Sequence, residues 1–304
     1  MRARLVALVL SGFGMGACSS GHDAKTSTAS ATPTLWAGGG FACLQRGSSF
    51  DCRLLDYFTS DHGQAAMPAG QLKAVSLNTY DTCVVETDGT GSCFGDDTNH
   101  SIEIPDGTWT KISQGNGQAC GLHPDGSVSC WGNGSAGYTP PTGPFIDVQA
   151  VEQAACAQDG GGNITCWGND YLGNVVSPAG TWASFILPST YLCRLDAEGS
   201  ITCSGISEVS DADIPTGTGY HSLTGGAFFA CALNTEDHAV CWGKAADGML
   251  DAPDDKFVQI ASGNYFTCGL KADGDVKCWG CREESAPDPS RYCDWDNPAP
   301  WLVP

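Results

Sequence analysis

Positive charge is scarce in this chain. Lysine and arginine number 14 against 34 aspartates and glutamates, for a formal net charge of −20 at pH 7. No basic stripe relieves that balance, so the surface repels a phosphate backbone and nucleic acid is not an expected partner. Outside the first 17 residues no apolar run has helical period, which argues against a helical core. The motifs of common chemistry are missing as well. There is no Gly-x-Ser-x-Gly elbow, no His-Glu-x-x-His, no Gly-x-x-x-x-Gly-Lys and no dinucleotide fingerprint between a strand and a helix. The six histidines are scattered. A non-enzymatic protein with no cofactor and no bound metal is the expectation.

Turn formers are abundant instead. Forty glycines and 16 prolines fit many short elements joined by tight turns, an all-β profile. Seventeen cysteines imply an oxidising compartment or several metal sites.

The amino terminus reads as an address. Arg2 and Arg4 precede an apolar run from Leu5 to Gly16, shorter than the ~20 residues a spanning helix needs, so residues 1–17 are expected to be a signal peptide. Met15-Gly16-Ala17-Cys18 resembles the bacterial lipobox, which implies lipidation of Cys18 and a membrane held through that lipid. Ser19 after the acylated cysteine implies the outer membrane of the cell envelope, with the chain facing the periplasm or the surface. Residues 18–34, rich in Ser, Thr and Ala, are expected to form a flexible tether.

The other 16 cysteines fall into pairs: Cys43/Cys52, Cys83/Cys93, Cys120/Cys130, Cys156/Cys166, Cys193/Cys203, Cys231/Cys241, Cys268/Cys278 and Cys281/Cys293. In the first seven pairs the leading cysteine advances by 40, 37, 36, 37, 38 and 37 residues, a period that signals stacked supersecondary units. Eight residues before each leading cysteine stands an apolar residue: Leu35, Val75, Ile112, Val148, Phe185, Leu223 and Ile260. Eleven before, five repeats place an aromatic (Trp109, Phe145, Trp182, Tyr220, Phe257). Two after come Val85, Leu122, Leu195, Leu233 or Leu270, while Gln45 and Gln158 depart.

Each pair encloses a hairpin signal. In the segment from Cys120 to Cys130, a loop of Pro124, Asp125 and a left-handed Gly126 sets the two cysteines opposite each other and Leu122 across from Val128. In the last repeat the same register places Leu270 across from Val276. Opposed strand residues lie about 4.5 to 5.5 Å apart at Cα, within reach of a disulfide. Zinc sites space their ligands about two to four apart, which these pairs do not. Cys278-Trp279-Gly280-Cys281 superficially matches a thiol redox motif, but Cys278 belongs to the seventh pair, and Cys281 is expected to close a separate loop, 281–293, with Cys293.

Four trailing cysteines are followed by Trp-Gly, at Trp131, Trp167, Trp242 and Trp279, with Phe94-Gly95 and Ser204-Gly205 in two other repeats and Arg53-Leu54 in the first. The running pattern, best seen from Phe257 to Gly280, resembles the repeat of the regulator of chromosome condensation family. That resemblance implies a seven-bladed β-propeller over residues 35–304, built from seven ~37-residue repeats as four-stranded blades. An exported branch of the family, which includes a secreted β-lactamase-inhibiting propeller, looks closer in setting than its nuclear members. Inhibition of a secreted enzyme is therefore an alternative function. Guanine-nucleotide exchange, implied by the family name, is disfavoured by export.

Asp88, Asp125 and Asp273 precede glycine at hairpin tips and are expected to shape turns. Asp96, Asp97, Asp211, Asp213, Asp254 and Asp255 lie between hairpins as solvated charge, lacking the twelve-residue spacing of a calcium loop. Loops after Trp-Gly carry Asn133, Tyr138, Asn169, Asp170 and Tyr171, of which Tyr138 and Tyr171 are the candidate binding residues; capping the gap between blades is their alternative role. The tail Pro300-Trp301-Leu302-Val303-Pro304 is expected to dock as a closing strand or cover an edge, with Trp295 and Trp301 packing or serving as ligand platforms. The expected function is that of a monomeric envelope lipoprotein presenting a propeller to a protein or glycan.

Overall fold

The computed structural model describes residues 32–55, 62–98, 101–133, 138–169, 176–188, 191–205, 209, 214–246 and 248–280. The expected signal peptide, Cys18, nearly all of the expected tether, Asp170, Tyr171, Asp211, Asp213, the segment from Cys281 to Cys293, Trp295 and the tail with Trp301 lie outside these residues.

Every described strand belongs to one of seven three-stranded antiparallel meanders. They span 34–54, 72–95, 111–131, 145–168, 184–205, 221–243 and 259–280, here blades 1 to 7. The first strand opens at Thr34, one residue before the expected boundary. In blade 3 the inner strand is Lys111–Gly115, the middle Gln118–Leu122 and the outer Val128–Trp131.

The resemblance implies four strands per blade, and the described residues form three. Where a fourth would run after blade 3, the segment before the next inner strand carries Pro140, Pro141 and Pro144. Proline has no N–H to donate to a ladder, so such a segment cannot pair as a regular strand.

The cysteine register is the one the hairpin signal dictates. Cys120 pairs with Cys130 and Leu122 with Val128, and Leu270 pairs with Val276. Because His123 N–H donates to the Ser127 carbonyl at 2.9 Å, the alternation of the ladder makes the cysteine pair a non-hydrogen-bonded one, where Cα atoms come closest. The other six pairs stand in the same directly opposed register.

Seven disulfides result, one per blade: Cys43–Cys52, Cys83–Cys93, Cys120–Cys130, Cys156–Cys166, Cys193–Cys203, Cys231–Cys241 and Cys268–Cys278. Their Cα separations of 4.0 to 4.1 Å are shorter than the 4.5 to 5.5 Å expected of opposed strand residues. Each bridge closes a short loop, which restricts the unfolded chain by at most about 2 to 3 kcal/mol.

The two sulfurs of a bridge are not equivalent, a difference the repeat pattern does not disclose. The leading cysteine of each pair lies on the middle strand and is fully buried. The trailing ones, Cys52, Cys93, Cys130, Cys166, Cys203, Cys241 and Cys278, are only half-buried. They stand on the outer strand, which among the described residues has a strand neighbour on one side alone.

Successive strand residues point to opposite faces, so Cys-Trp sends sulfur into one seam and indole into the other. In the seam between blades 3 and 4, Cys120, Leu122 and Phe145 pack with Val148, Ala150, Ala155 and Ala157, and Trp167 lies against them. Trp131 points the other way, onto Cys83 and Val85 of blade 2. The middle strands are covered on both faces, and in blades 3, 5, 6 and 7 every residue of the middle strand is buried.

The pattern closes on itself. Phe266, Cys268 and Leu270 of blade 7 share a cluster with Leu35, Ala42 and Leu44 of blade 1. Gln259 grips Leu35 from both sides, its Oε1 accepting the Leu35 N–H at 3.0 Å and its Nε2 donating to the Leu35 carbonyl at 2.6 Å. Arg46 donates to the Gly274 carbonyl at 2.6 Å. Blades 1 and 7 therefore meet through these contacts.

The two glutamines that depart from the apolar pattern also join blades. Gln45 and Gln158 are buried, and their amides donate to the carbonyls of Gly70 (2.9 Å) and Trp182 (2.6 Å), just ahead of the next inner strand. Close approach is allowed by glycine at the inner turns. A Cβ at Gly226 would stand 2.5 Å from the Gly263 carbonyl oxygen, and one at Gly263 would stand 2.6 Å from that of Gly39.

Candidate functional site

The inner strands of all seven blades surround a central cavity of about 280 Å³. Its wall is largely occupied with holding blades together. Ser76 Oγ accepts the Gln114 N–H at 3.0 Å, Ser113 Oγ the Ala150 N–H at 3.0 Å, and Thr224 Oγ1 the Ser262 N–H at 2.9 Å. Gln149 does the same for Leu187 at 2.8 Å. Lys111, a charged side chain on this wall, is paired with Asp147.

A meander puts its two connections at opposite ends, so the ring has two unlike rims. The turn rim, between inner and middle strands, is knitted across blades. Ala227 N–H donates to the Asn264 carbonyl (2.9 Å) and Asn264 N–H to that of Gly39 (2.7 Å). Asn78 Nδ2 reaches the Gly115 carbonyl at 3.1 Å, Gln118 Nε2 that of Ala154 at 2.8 Å, and the buried Tyr191 hydroxyl that of Gly226 at 2.9 Å. Asp81, also buried, accepts from Asn78 Nδ2 (2.8 Å) and Ser101 Oγ (2.5 Å). Desolvation nevertheless holds its carboxyl above the ordinary carboxylate range. Beside this network Tyr80 and Phe228 are partly exposed, and Phe228 packs near Tyr265 at 6.2 Å between ring centroids.

At the tip rim, between middle and outer strands, hairpin turns are closed locally. In blades 2 to 6 the tip carbonyl also accepts an N–H at the foot of the next inner strand, Gly89 from Trp109, Gly126 from Phe145, Gly162 from Trp182, Gly199 from Tyr220 and Asp237 from Phe257, at 2.8 to 3.1 Å. Asp125 Oδ1 accepts from the Ser127 N–H (2.9 Å) and hydroxyl (2.6 Å), while Gly126 takes φ of 83°. Asp88, Asp159, Asp196 and Asp273 close their turns in the same way. Hydrogen bonds to Thr90, Ser127, Asn163 and Ser200 hold Asp88, Asp125, Asp159 and Asp196 below the ordinary carboxylate range. Six of the seven tips carry carboxylates, blade 1 with Arg46 being the exception. At the feet of the inner strands on this rim, Ile146 and Val258 are 63% and 57% exposed.

Blade 6 breaks the pattern of this rim. In five of the six hairpins whose cysteines are ten residues apart, the position six after the leading cysteine is a left-handed glycine, Gly89, Gly126, Gly162, Gly199 or Gly274, with φ of 77° to 92°; in blade 6 it is Asp237, with φ of 67°. Ser222 is the other described non-glycine residue with positive φ, at 54°, and lies where the ladder register slips between His221 and Thr224. The two meet at one imidazole. His221 Nδ1 stands 3.2 Å from Ser222 Oγ and His221 Nε2 stands 3.4 Å from Asp237 Oδ1. Motif reading misses this cluster because Asp237 joins His221 and Ser222 only in the fold. Aligning the seven tips and noting the aspartate in a glycine column marks it.

The cysteines expected as site residues belong to the scaffold and not to a reactive centre. Cys43, Cys52, Cys83, Cys93, Cys120, Cys130, Cys156, Cys166, Cys193, Cys203, Cys231, Cys241, Cys268 and Cys278 all stand in cystines, and a disulfide sulfur has no proton to lose and no thiolate to offer. Cys281 and Cys293 lie outside the described residues. Tyr138, an expected binding residue, is half-buried and lines a small pocket together with Gln118 and Cys130 of blade 3 and Gln153 and Trp167 of blade 4. Tyr171, the other expected binding residue, lies outside the described residues. Of the loop aspartates, Asp96 accepts from the Thr98 N–H at 2.8 Å, Asp254 lies 3.2 Å from His238 and Asp255 is 2.6 Å from Lys277. Among the described residues no group of three or more His, Cys, Asp or Glu is arranged to hold a metal.

Residues 257–283 match the family model described as the Regulator of chromosome condensation (RCC1) repeat. Among solved structures the chain is similar to the ectodomain of the Physcomitrella patens receptor kinase CR4, at 20% identity and TM-score 0.66 over 83% of this chain and 74% of that one. It is similar to the CRINKLY WD40 ectodomain of the Arabidopsis thaliana receptor kinase ACR4, at 21% identity and TM-score 0.64 over 83% and 95%. Prp20p from Saccharomyces cerevisiae follows at 12% identity and TM-score 0.57 over 68% and 71%. At these identities the likeness is one of fold. No curated protein matches in a sequence comparison. The architecture is that of an RCC1-type β-propeller with one disulfide per blade.

Proposed function

We propose that the chain is an envelope recognition module, anchored through a lipid on Cys18, that binds a protein partner on its tip rim and acts chiefly by binding. One observation carries this reading: cystines, apolar side chains and inter-blade hydrogen bonds occupy the seams, while the side chains left free for a partner are gathered on the rims. Rigid scaffolds that present surface loops are suited to recognition. Seven disulfides are what a chain maturing in an oxidising compartment carries, in keeping with export.

The tip rim supplies the partner's chemistry. Carboxylates on six tips, with Ile146 and Val258 exposed among them, favour a basic surface bearing a few apolar side chains. The test is capture from an envelope extract at low salt with the immobilised chain lacking its first 31 residues. A stoichiometric protein should be recovered, released by raised salt, and lost with the charge reversals Glu236→Lys plus Asp273→Lys. Recovery of none, or equal recovery by the reversed variant, contradicts the reading.

A further inference from the structure

We propose that blade 6 carries an activity beyond recognition: Ser222, His221 and Asp237 form a nucleophilic site that cleaves carboxylic esters presented at the tip rim. The seven repeats supply their own control. Five tips use glycine where the backbone must turn left-handed, the residue that does so without steric cost. Blade 6 puts Asp237 there, and the carboxylate this gains is the one beside His221 Nε2, at 3.4 Å. Ser222 likewise takes a left-handed conformation, φ 54°, and its hydroxyl is the one beside His221 Nδ1, at 3.2 Å. Both described non-glycine outliers of the backbone thus converge on one histidine. Strain of this kind persists where the surrounding structure imposes it, and it concentrates at functional sites.

The hairpin fixes the carboxylate. Asp237 N–H donates to the Asn234 carbonyl at 3.0 Å, and the Asp237 carbonyl accepts the Phe257 N–H of blade 7 at 2.9 Å. With its proton on Nε2, facing the Asp237 carboxylate at 3.4 Å, the ring presents an unprotonated Nδ1 to the serine. The order nucleophile, base, carboxylate is that of a serine hydrolase with the two ring nitrogens exchanged, and such sites are recognised by role and geometry. As Ser222 Oγ bonds to the ester carbonyl carbon, its proton passes to Nδ1. The bond from that carbon to the alkoxy oxygen then breaks, and the alcohol leaves with the proton from Nδ1. Water, deprotonated by Nδ1 in turn, splits the acyl-serine to a carboxylic acid and restores the hydroxyl. Asp237 is a positioning residue, holding the tautomer and facing the imidazolium. The side chains of His221 and Asp237 are about half exposed (46% and 56%), so the site suits an acyl group carried on a larger molecule better than a small ester that must be enclosed.

The purified chain is to be treated with a fluorophosphonate probe, its adducts located by peptide mass spectrometry, and its hydrolysis of p-nitrophenyl acetate measured. The expected result is an adduct on Ser222 and hydrolysis that falls at least about tenfold in Ser222→Ala, the low end of what acid–base and nucleophile losses cost. Asp237→Gly restores the residue the other tips use. It should melt no lower than the parent yet label Ser222 and hydrolyse ester at least about tenfold more slowly. Absence of an adduct on Ser222, or a smaller loss in either variant, overturns the proposal. Partner capture is measured separately, so this failure leaves the recognition reading as it stands.

Discussion

The two rims of the ring are built on different principles. At the turn rim one blade's amide or hydroxyl ends on the next blade's carbonyl, as Asn264, Asn78, Gln118 and Tyr191 do. At the tip rim an aspartate, or Asn234 in blade 6, caps the turn of its own hairpin in six blades, and the link to the next blade is largely made by backbone, the tip carbonyl accepting the N–H of Trp109, Phe145, Trp182, Tyr220 or Phe257. Blades are therefore joined at both rims, by side chains as well as backbone at the turn rim and largely by backbone at the tip rim, which leaves most tip side chains to vary in charge from blade to blade. Damage should weaken from the first rim to the second.

Phe266, fully buried just past the turn of blade 7 in the seam that closes the ring, should matter most. Phe266→Ala is expected to cost about 3 to 5 kcal/mol in denaturant unfolding, and a cost under about 1 kcal/mol would show that the seam is not packed as described. Replacing Cys120 and Cys130 together by alanine should remove up to about 2 to 3 kcal/mol, since the strands stay paired when the loop is opened. Gln118→Ala leaves the buried carbonyls of Val151 and Ala154 without their donor, a loss of about 1 to 3 kcal/mol. Tyr80→Ala, at an exposed position on the same rim, should fall within about 0.5 kcal/mol of the parent.

The smallest effects sharpen the comparison by their sign. Asp125 has its carboxyl lowered in the fold, so its contribution is present above the ordinary carboxylate value of 3.8 and is lost as pH falls through the lower folded value. Asp81 has its carboxyl raised, so its contribution is present below 3.8 and is lost as pH rises through the higher folded value. Relative to the parent, Asp125→Asn should therefore melt lower at pH 7 than it does at pH 3. Asp81→Asn should shift the opposite way, comparing better with the parent at pH 7 than at pH 3. Parallel shifts in the two variants would erase the distinction drawn between tip and turn carboxylates.

Much of this fold is legible in the residues because its period is covalently marked. Cys120 and Cys130 disclose their register through the loop between them, and the alternation of Cys with Trp follows once the hairpin is known. Other features need the neighbouring blade or strand. That Cys52, Cys93, Cys166, Cys203 and Cys241 keep some exposure while their partners lose nearly all of it depends on which strand is the outer one, and spacing alone does not say. Gln45 and Gln158 read as departures from an apolar column until the carbonyls of Gly70 and Trp182 show what their amides reach. Ser76, Ser113 and Thr224 are unremarkable in one repeat, and their purpose lies in the next inner strand. Resemblance implies a fourth strand, while the prolines at 140, 141 and 144 argue locally for a turn-rich connection. The position of Tyr138 after Trp-Gly suggests a binding loop, and only the fold shows that it shares a small pocket with Gln118, Cys130, Gln153 and Trp167. The Ser222, His221 and Asp237 cluster depends on a register slip and two left-handed residues, neither of which hydrophobic pattern or motif spacing encodes.

The central claim is that each repeat is closed by its own disulfide and that seven such units complete the ring. Peptide mapping of the unreduced, alkylated protein by mass spectrometry tests it directly. The map should contain the linkages Cys43–Cys52, Cys83–Cys93, Cys120–Cys130, Cys156–Cys166, Cys193–Cys203, Cys231–Cys241 and Cys268–Cys278; alkylated thiols at these positions, or a bridge between two repeats, would contradict it.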